Sequence, residues 1–476
     1  MRPLEILSAA LLLAATALPL MRLRSRLPFR ISCLWMALAV AAQFLFEGPH
    51  WQLDPLYCAV LLLLICAVFG HRWQQSWVSV TVVTTLLLLF ASVCLSWMMP
   101  MFQLPAPTGP FAVGTRILHF VDVSRVEENG SSPSGKRELM VQVWYPAERP
   151  SSFPDRRVSY QRRKEVTWRA SYRSVLKTNS YQNAPILGGG PYPVLIYNPS
   201  WMGERTESTF QMEELASHGF IVIGVDHTFF GGRVEFPDGR VADSRGAPNL
   251  GNFERTTVQE EWSLGAKYVH IEAQDDSFVL DQFQLMNRDQ ACPWFRRIDM
   301  SRVGAMGYSI GGAAAEQMAY QDSRVKAALD MDGWSFGDVG THGLAKPLMV
   351  MFEDKEQTIP TAAQLHANAV PEQRKWEFSA EDFANVTSGL RQNGGFLLFI
   401  AGTRHVDFSD RSLLSPLRVL TGAGTLNPRR AHSIINAYSL AFFSNVLLGK
   451  DEPILRTNPA PFPEVEFEHF AGSQHW

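Results

Sequence analysis

A doubly wound α/β domain with a mostly parallel sheet, preceded by a transmembrane region of four helices, is the fold class this sequence predicts. Three observations predict it. Four stretches in the first hundred residues, Ile6 to Met21, Ile31 to Phe46, Pro55 to Gly70 and Ser76 to Met99, carry no charged side chain. After Gly109 the composition becomes that of a globular domain, with short apolar runs separated by helical or loop stretches and regular Gly and Pro punctuation. One of those runs, Arg302 to Met306, leads into Gly307-Tyr308-Ser309-Ile310-Gly311 and then a small-residue helix start, Gly312-Ala313-Ala314-Ala315.

Each apolar stretch is long enough, or nearly so, for the roughly 17 to 25 residues that span a bilayer. Trp51, Trp73, Trp77 and Trp97 flank them, where amphipathic rings suit the water boundary. Arg22, Arg24, Arg26 and Arg30 separate the first two, Glu47 and Asp54 the second and third, and Arg72 the last pair. The positive-inside rule then places the first and third links in the cytoplasm, with the N-terminus and everything after Met99 outside it. A cleaved leader would need a small-x-small site before the arginines, and soluble core helices would need polar counterfaces; neither is visible. The expected organisation is a multi-pass cell-membrane region over 1–99, a stiff linker over 100–113 with Pro105 and Pro107, and an extracytoplasmic globular domain over 114–476.

Composition narrows the partners. The chain has 476 residues, 46% hydrophobic and 19% charged, with a net charge of only -3, so nothing electrostatic calls for a nucleic acid. Four of the 5 cysteines lie in the apolar stretches, leaving Cys292 alone in the globular part. No disulfide staples that part, no Cys-rich metal framework exists, and no cofactor or metal is expected.

Strand-like runs follow in order. Ile117 to Val123 and Leu139 to Tyr145 alternate and form an opening β pair. Pro193 to Tyr197, Phe220 to Val225, Arg302 to Met306, Val325 to Met331, Pro347 to Phe352 and Phe396 to Ile400 are short continuous apolar runs, the pattern of parallel strands covered on both faces. Ala431 to Leu448 reads as a closing helix, and the Pro-rich tail from Asp451 as a surface cover.

In open sheets, chemistry collects at the carboxyl ends of the strands. Ser309 follows one such strand on a turn whose glycines let the backbone bend sharply, so its hydroxyl stands clear and the Ile310 amide points at a developing oxyanion. A nucleophilic serine needs an imidazole to take its proton, and the imidazole needs a carboxylate to fix its tautomer. His405 sits in the loop after the last apolar run, unlike His342, His366, His432, His469 and His475. Asp332 and Asp354 each follow a strand, Asp330 lies within one, and residue physics alone does not separate the first two. The order Ser, acid, His is that of α/β-hydrolases. The loop after Pro193 to Tyr197, Asn198-Pro199-Ser200-Trp201, offers the amide of Trp201 or a neighbour as second oxyanion donor.

Four separated motifs follow one another along the chain: Leu215-Ala216-Ser217-His218-Gly219-Phe220, Gly307-Tyr308-Ser309-Ile310-Gly311-Gly312, Leu329-Asp330-Met331-Asp332-Gly333-Trp334, and Gly402-Thr403-Arg404-His405 with Phe408. Together they resemble the plasma-type platelet-activating factor acetylhydrolases and their microbial esterase relatives, over roughly Gly114 to Leu448. The resemblance implies an α/β-hydrolase fold, Asp332 as the acid, backbone donors at Trp201 and Ile310, and calcium-independent cleavage of short or oxidised acyl esters. Pro199-Ser200 replaces the family's usual His-Gly, and Tyr308 stands where histidine is frequent, so the pocket walls differ.

The expected function is a membrane-anchored serine esterase acting on an ester or lipid substrate. The same residues would support acyl transfer or peptide hydrolysis, and a non-catalytic membrane sensor is the rival from another class. One further stretch, within an inserted cover segment over 150–190, carries Arg156, Arg157, Arg162, Arg163, Lys164, Arg169, Arg173 and Lys177 among Trp168, Tyr172, Val175 and Leu176. Its spacing predicts a basic amphipathic helix, either on membrane lipids or covering the sheet.

Overall fold

A computed structural model describes residues 2–21, 27–69, 75–128, 130, 134–149, 157–456 and 460–472. The chain divides into two compact units: Met1–Gln103 with Ser159–Lys177 and Leu413–Leu420, and Leu104–Val158 with Thr178–Ser412 and Thr421–Trp476.

The first unit is built on α1 (Pro3–Ala17), α2 (Leu27–Phe46), α3 (Asp54–Phe69) and α4 (Gln75–Met98). Leu12, Ala15, Cys33, Met36, Leu56, Ala59 and Leu63 fill its interior, small residues alternating with aliphatic ones so that the helices approach closely. The outward faces are also apolar: Ile6, Leu34, Trp35, Phe46 and Phe90 are exposed. The polar contacts gather at one end, where Arg2 Nη2 donates to the Gly48 carbonyl at 2.9 Å and Gln52 Nε2 to the Met99 carbonyl at 3.0 Å. The start of α1, the α2–α3 turn and the end of α4 therefore share that end. Arg22, Arg24, Arg26, Arg72 and Trp73, on which the expected orientation largely rests, lie outside the described residues.

The basic stretch differs from expectation. Instead of an amphipathic α-helix, residues 168–174 form a 3₁₀ helix, Trp168–Ser174, and a strand begins at Lys177. Within it Ser174 Oγ donates to the Ser171 carbonyl at 2.8 Å, a side-chain bond of the kind that competes with the α-helical ladder. Tyr172 and Leu176 are buried, and Arg156 lies outside the described residues.

The second unit carries an eleven-stranded sheet. Its strands are β1 (Ala112–Val126), β2 (Lys136–Ala147), β3 (Arg157–Ser159), β4 (Lys177–Gln182), β5 (Tyr192–Asn198), β6 (Ile221–Asp226), β9 (Ile298–Tyr308), β10 (Val325–Met331), β11 (Leu348–Phe352), β12 (Gly395–Ile400) and β13 (Val465–Phe470), with β7 (Val234–Glu235) and β8 (Val241–Ala242) forming a separate hairpin. The order is β13-β12-β11-β10-β9-β5-β6-β2-β1-β4-β3. The six strands from β12 to β6 are mutually parallel, while β2 runs antiparallel to both β6 and β1. These parallel strands are the continuous apolar runs of the sequence, buried because helices cover both faces: α6 (Val258–Arg288) and α7 (Ile310–Gln321) on one side, α5 (Thr209–Ser217) and the helix Pro428–Leu448 on the other. Pro428–Leu448 is apolar and long enough to cross a membrane, yet it is 67% buried within the fold, against 22–39% for the four N-terminal candidates.

The tail also differs. Val465–Phe470 pairs antiparallel with β12 in register Ile400↔Val465, and Phe467 stacks on Phe396 with ring centroids 5.9 Å apart. Pro461 and Pro463 just before it mask the alternation that makes it an edge strand.

Candidate active site

Strand β9 ends at Tyr308 and helix α7 begins at Ile310, so Ser309 alone turns the chain, at φ 60° and ψ -130°. That left-handed backbone is strained for a side chain bearing a Cβ. It is held from several sides: Ser309 N donates to the Met331 carbonyl at 2.9 Å, and the Ser309 carbonyl accepts from Gly312 N at 2.8 Å. The two glycines are sterically required. A Cβ on Gly307 would lie 1.9 Å from the Gly311 carbonyl oxygen, and one on Gly311 would lie 2.2 Å from that of Asn198.

Asp332 leaves the end of β10 with φ 58°, again positive, and its amide donates to the Met351 carbonyl at 2.7 Å. Its two carboxylate oxygens are both engaged. Oδ1 accepts from Glu353 N at 2.8 Å and Oδ2 lies 2.6 Å from Nδ1 of His405. The other ring nitrogen, Nε2, lies 3.0 Å from Ser309 Oγ. An ionised Asp332 fixes the tautomer with the proton on Nδ1, leaving Nε2 to accept from the serine hydroxyl. Burial opposes charge on the imidazole, but the hydrogen bond and charge of Asp332, joined by the charge of Glu353, outweigh it and raise its pKa. Tyr308 packs its ring 4.8 Å from that of His405.

The remaining carboxylates do other things. Asp354 accepts from Gly402 N at 2.7 Å and from Glu356 N at 3.0 Å, so it ties down the loop that carries His405 and makes no bond to the imidazole among the described residues. Asp330 is fully buried, accepts from Gly333 N at 2.9 Å and supports the turn beneath Asp332. Glu353, next to Asp354 in sequence, accepts from the backbone N of His405 at 2.8 Å; desolvation and then the Asp332 charge raise its pKa. The strand-end rule that singles out Asp354 covers Glu353 equally, but nothing in its neighbours marks it.

The loop Asn198–Gly203 lies across from the turn. Both the amide and the hydroxyl of Ser200 donate to the buried Glu207, and Met202 N donates to the Phe230 carbonyl at 3.2 Å. Between them, the amide of Trp201 donates to no acceptor among the described residues, and neither does that of Ile310 at the start of α7. His227 anchors the loop's base, with Nε2 2.9 Å from Asn198 Oδ1 and Nδ1 3.0 Å from Asp275 Oδ2.

Ser309, Ile310, Asp332 and His405 open on a cavity of about 360 Å³ that Trp201, Leu250, Trp334, Phe336 and Phe352 also line, with Lys375 and Gln357 among the polar residues. The arrangement supplies a hydroxyl aimed at an imidazole, an imidazole braced by a carboxylate, two unengaged amides and an aromatic-walled recess. That set serves acyl transfer from a carbonyl substrate. Among the described residues no His, Cys, Asp and Glu cluster suits a metal ion. His432 stacks on Phe210 with centroids 3.8 Å apart and His469 on Phe396 at 4.8 Å; His475 lies outside the described residues.

The model of the family described as platelet-activating factor acetylhydrolase, isoform II, matches residues 98–230 and 269–453. A probable 1-alkyl-2-acetylglycerophosphocholine esterase of Arthroderma benhamiae is 25% identical over 397 residues, 77% of this chain and 94% of the relative. The platelet-activating factor acetylhydrolase of Cavia porcellus is 22% identical over 383 residues, 72% of this chain and 78% of the relative. Among solved structures, a ferulic acid esterase from Streptomyces cinnamoneus superposes with a TM-score of 0.58 at 27% identity, covering 77% of this chain and 99% of that one. The chain belongs to the platelet-activating factor acetylhydrolase, isoform II, family and is a serine carboxylic ester hydrolase with an α/β-hydrolase fold.

Proposed function

We propose that this chain is a membrane-anchored esterase that cleaves short-acyl or oxidised phospholipid esters through Ser309, His405 and Asp332. Ser309 Oγ attacks the ester carbonyl carbon as its proton passes to His405 Nε2, and the amides of Trp201 and Ile310 hold the oxyanion that forms. The imidazolium, stabilised by Asp332, then gives its proton to the departing alcohol oxygen. Water, deprotonated by the same nitrogen, attacks the acyl-enzyme and releases the acid, returning the proton to Ser309.

The observation that carries this reading is the continuous chain from Ser309 Oγ through 3.0 Å to His405 and on through 2.6 Å to Asp332. Support for the substrate class comes from the Arthroderma benhamiae relative, a probable 1-alkyl-2-acetylglycerophosphocholine esterase, and from the limited aromatic recess. Support for the anchor comes from four long N-terminal helices whose outward side chains are apolar, a surface that water disfavours and lipid accepts. In this reading they cross the cell membrane and the hydrolase lies outside the cytoplasm.

The test is a graded ester panel with the full chain, ending in a phospholipid with a two-carbon second acyl group. Ser309→Ala should abolish turnover of every ester and labelling by a fluorophosphonate probe while leaving thermal unfolding unchanged. Turnover by that variant would overturn the assignment of the nucleophile, and a wild-type preference for long acyl chains would overturn the substrate class.

A further inference from the structure

Two stretches remote in sequence from the N-terminal helices, Ser159–Lys177 and Leu413–Leu420, belong to the helical unit. Both attach at the same end of it. A Cβ on Gly48, in the α2–α3 turn, would lie 2.8 Å from Val175 Cγ1; Trp51, just before α3, has its ring centroid 6.0 Å from that of Trp168; and Ser415 Oγ donates to the carbonyl of Met98 at the end of α4. Phe102 meets Tyr160 edge-on at 5.6 Å.

Their composition is lopsided. Together the two stretches hold seven basic residues and one acidic residue, Glu165, which is itself buried and sits 3.7 Å from Arg162. Arg163 and Arg169 are exposed and form no ion pair among the described residues. Beside them the Trp168 side chain is 58% exposed, and Val419 and Leu420 also face outward. Water does not favour exposed indole and aliphatic groups, and unpaired guanidinium groups invite an anion. A rim of aromatic, aliphatic and arginine side chains at the end of an apolar helix bundle meets both demands at one place, the headgroup zone of a bilayer.

We infer that this rim is a docking surface for anionic phospholipid headgroups, with Arg163 and Arg169 on lipid phosphates and Trp168 at the level of the glycerol ester region. The inference rests on the proposal that the four helices span a membrane. It adds a lipid preference that spanning alone does not require.

The experiment uses the detergent-purified full chain titrated with phosphatidylglycerol or phosphatidylcholine of equal acyl length, with retained lipid counted by native mass spectrometry. The wild type should retain phosphatidylglycerol in preference, and Arg163→Gln with Arg169→Gln should cut that preference on the order of tenfold or more, because each arginine near a charged surface contributes separately. Arg163→Lys with Arg169→Lys should keep most of it. Hydrolysis of a water-soluble p-nitrophenyl ester by all three proteins reports that the fold is intact. Equal retention of the two lipids by the wild type, or a full preference in the glutamine variant, would overturn the inference. Release of the wild-type chain from membranes by alkaline carbonate would instead show that the spanning proposal itself is wrong.

Discussion

His405 Nδ1 lies 2.6 Å from Asp332 Oδ2, whereas both oxygens of Asp354 are taken by backbone amides, one of them that of Gly402 in the histidine's own loop. Asp332→Asn would present an amide to Nδ1 and favour the tautomer that cannot accept the serine proton. A fall in kcat on the order of 10⁴ is expected, with the fold intact. Asp354→Asn keeps one acceptor oxygen, for the Glu356 cap or for the Gly402 amide but not for both, and because neither bond reaches the imidazole it should cost activity far less. Steady-state kinetics of the two variants ranks them, and the reverse order would move the orienting role to Asp354.

The raised pKa of His405 has a kinetic signature. The base must be neutral to accept the Ser309 proton, so kcat/KM should climb with pH along a limb centred above the ordinary imidazole value of about 6.5. Part of the raising comes from the negative charge of Glu353, whose own carboxyl is pushed up to about 8, so this part grows as the pH approaches that value. Glu353→Gln removes that charge, stabilises the imidazolium less, and should move the limb to lower pH. A pH–rate profile on a soluble ester reads this directly, and a limb that stays put or moves upward would exclude Glu353 as a charge acting on the imidazole.

Which parts of this picture were legible in the residues follows from how local their determinants are. The turn at Ser309 is written in adjacent positions, because Gly307 and Gly311 are each demanded by a backbone atom only a few residues or one strand away. The parallel strands are equally legible, since burial on both faces leaves continuous apolar runs such as Val325–Met331. The choice between Asp332 and Asp354 is not local: each ends a strand, and only the way the Gly402–His405 loop folds back decides which carboxylate meets the ring. Family resemblance, not spacing, favoured Asp332. Glu353 and Glu207 were silent for the same reason, as their partners are backbone amides of distant loops. β13 is hidden by the prolines before it, and the basic stretch has helical spacing over a segment that ends as a 3₁₀ helix at Ser174, whose hydroxyl bonds back to the Ser171 carbonyl, before a strand begins at Lys177.

Below the Asn198–Trp201 loop, Arg137 holds Asp275 through two bonds of 3.1 and 2.6 Å, and Asp275 in turn holds His227. All three side chains are buried. Arg137→Ala would remove one of the two guanidinium groups on buried Asp275, with Arg125 Nη2 remaining 2.8 Å from Oδ1, so the loss should lie toward the low end of the about 3–5 kcal/mol that breaking a buried pair from one side costs. Chemical denaturation should register that loss as a lower midpoint with an unchanged slope. A variant as stable as the wild type would mean that Arg125 alone satisfies Asp275 and that Arg137 does not brace the loop.

Gly311 offers the sharpest test of the oxyanion assignment. A methyl group there would sit 2.2 Å from the Asn198 carbonyl oxygen and 2.5 Å from that of Pro199, contacts that only backbone movement relieves. The movement separates the start of α7, which bears the Ile310 amide, from the loop that bears the Trp201 amide. Ser309, His405 and Asp332 keep their own bonds, so the nucleophile survives while the two donors lose their common focus. Gly311→Ala should therefore lower kcat by roughly 10²–10³, the usual effect of losing one oxyanion donor, with KM little changed. Fluorophosphonate labelling should slow in parallel, because the phosphonyl oxygen needs the same two amides. If kcat and the labelling rate both stay at wild-type values in a folded Gly311→Ala protein, the oxyanion is held by groups other than Trp201 and Ile310.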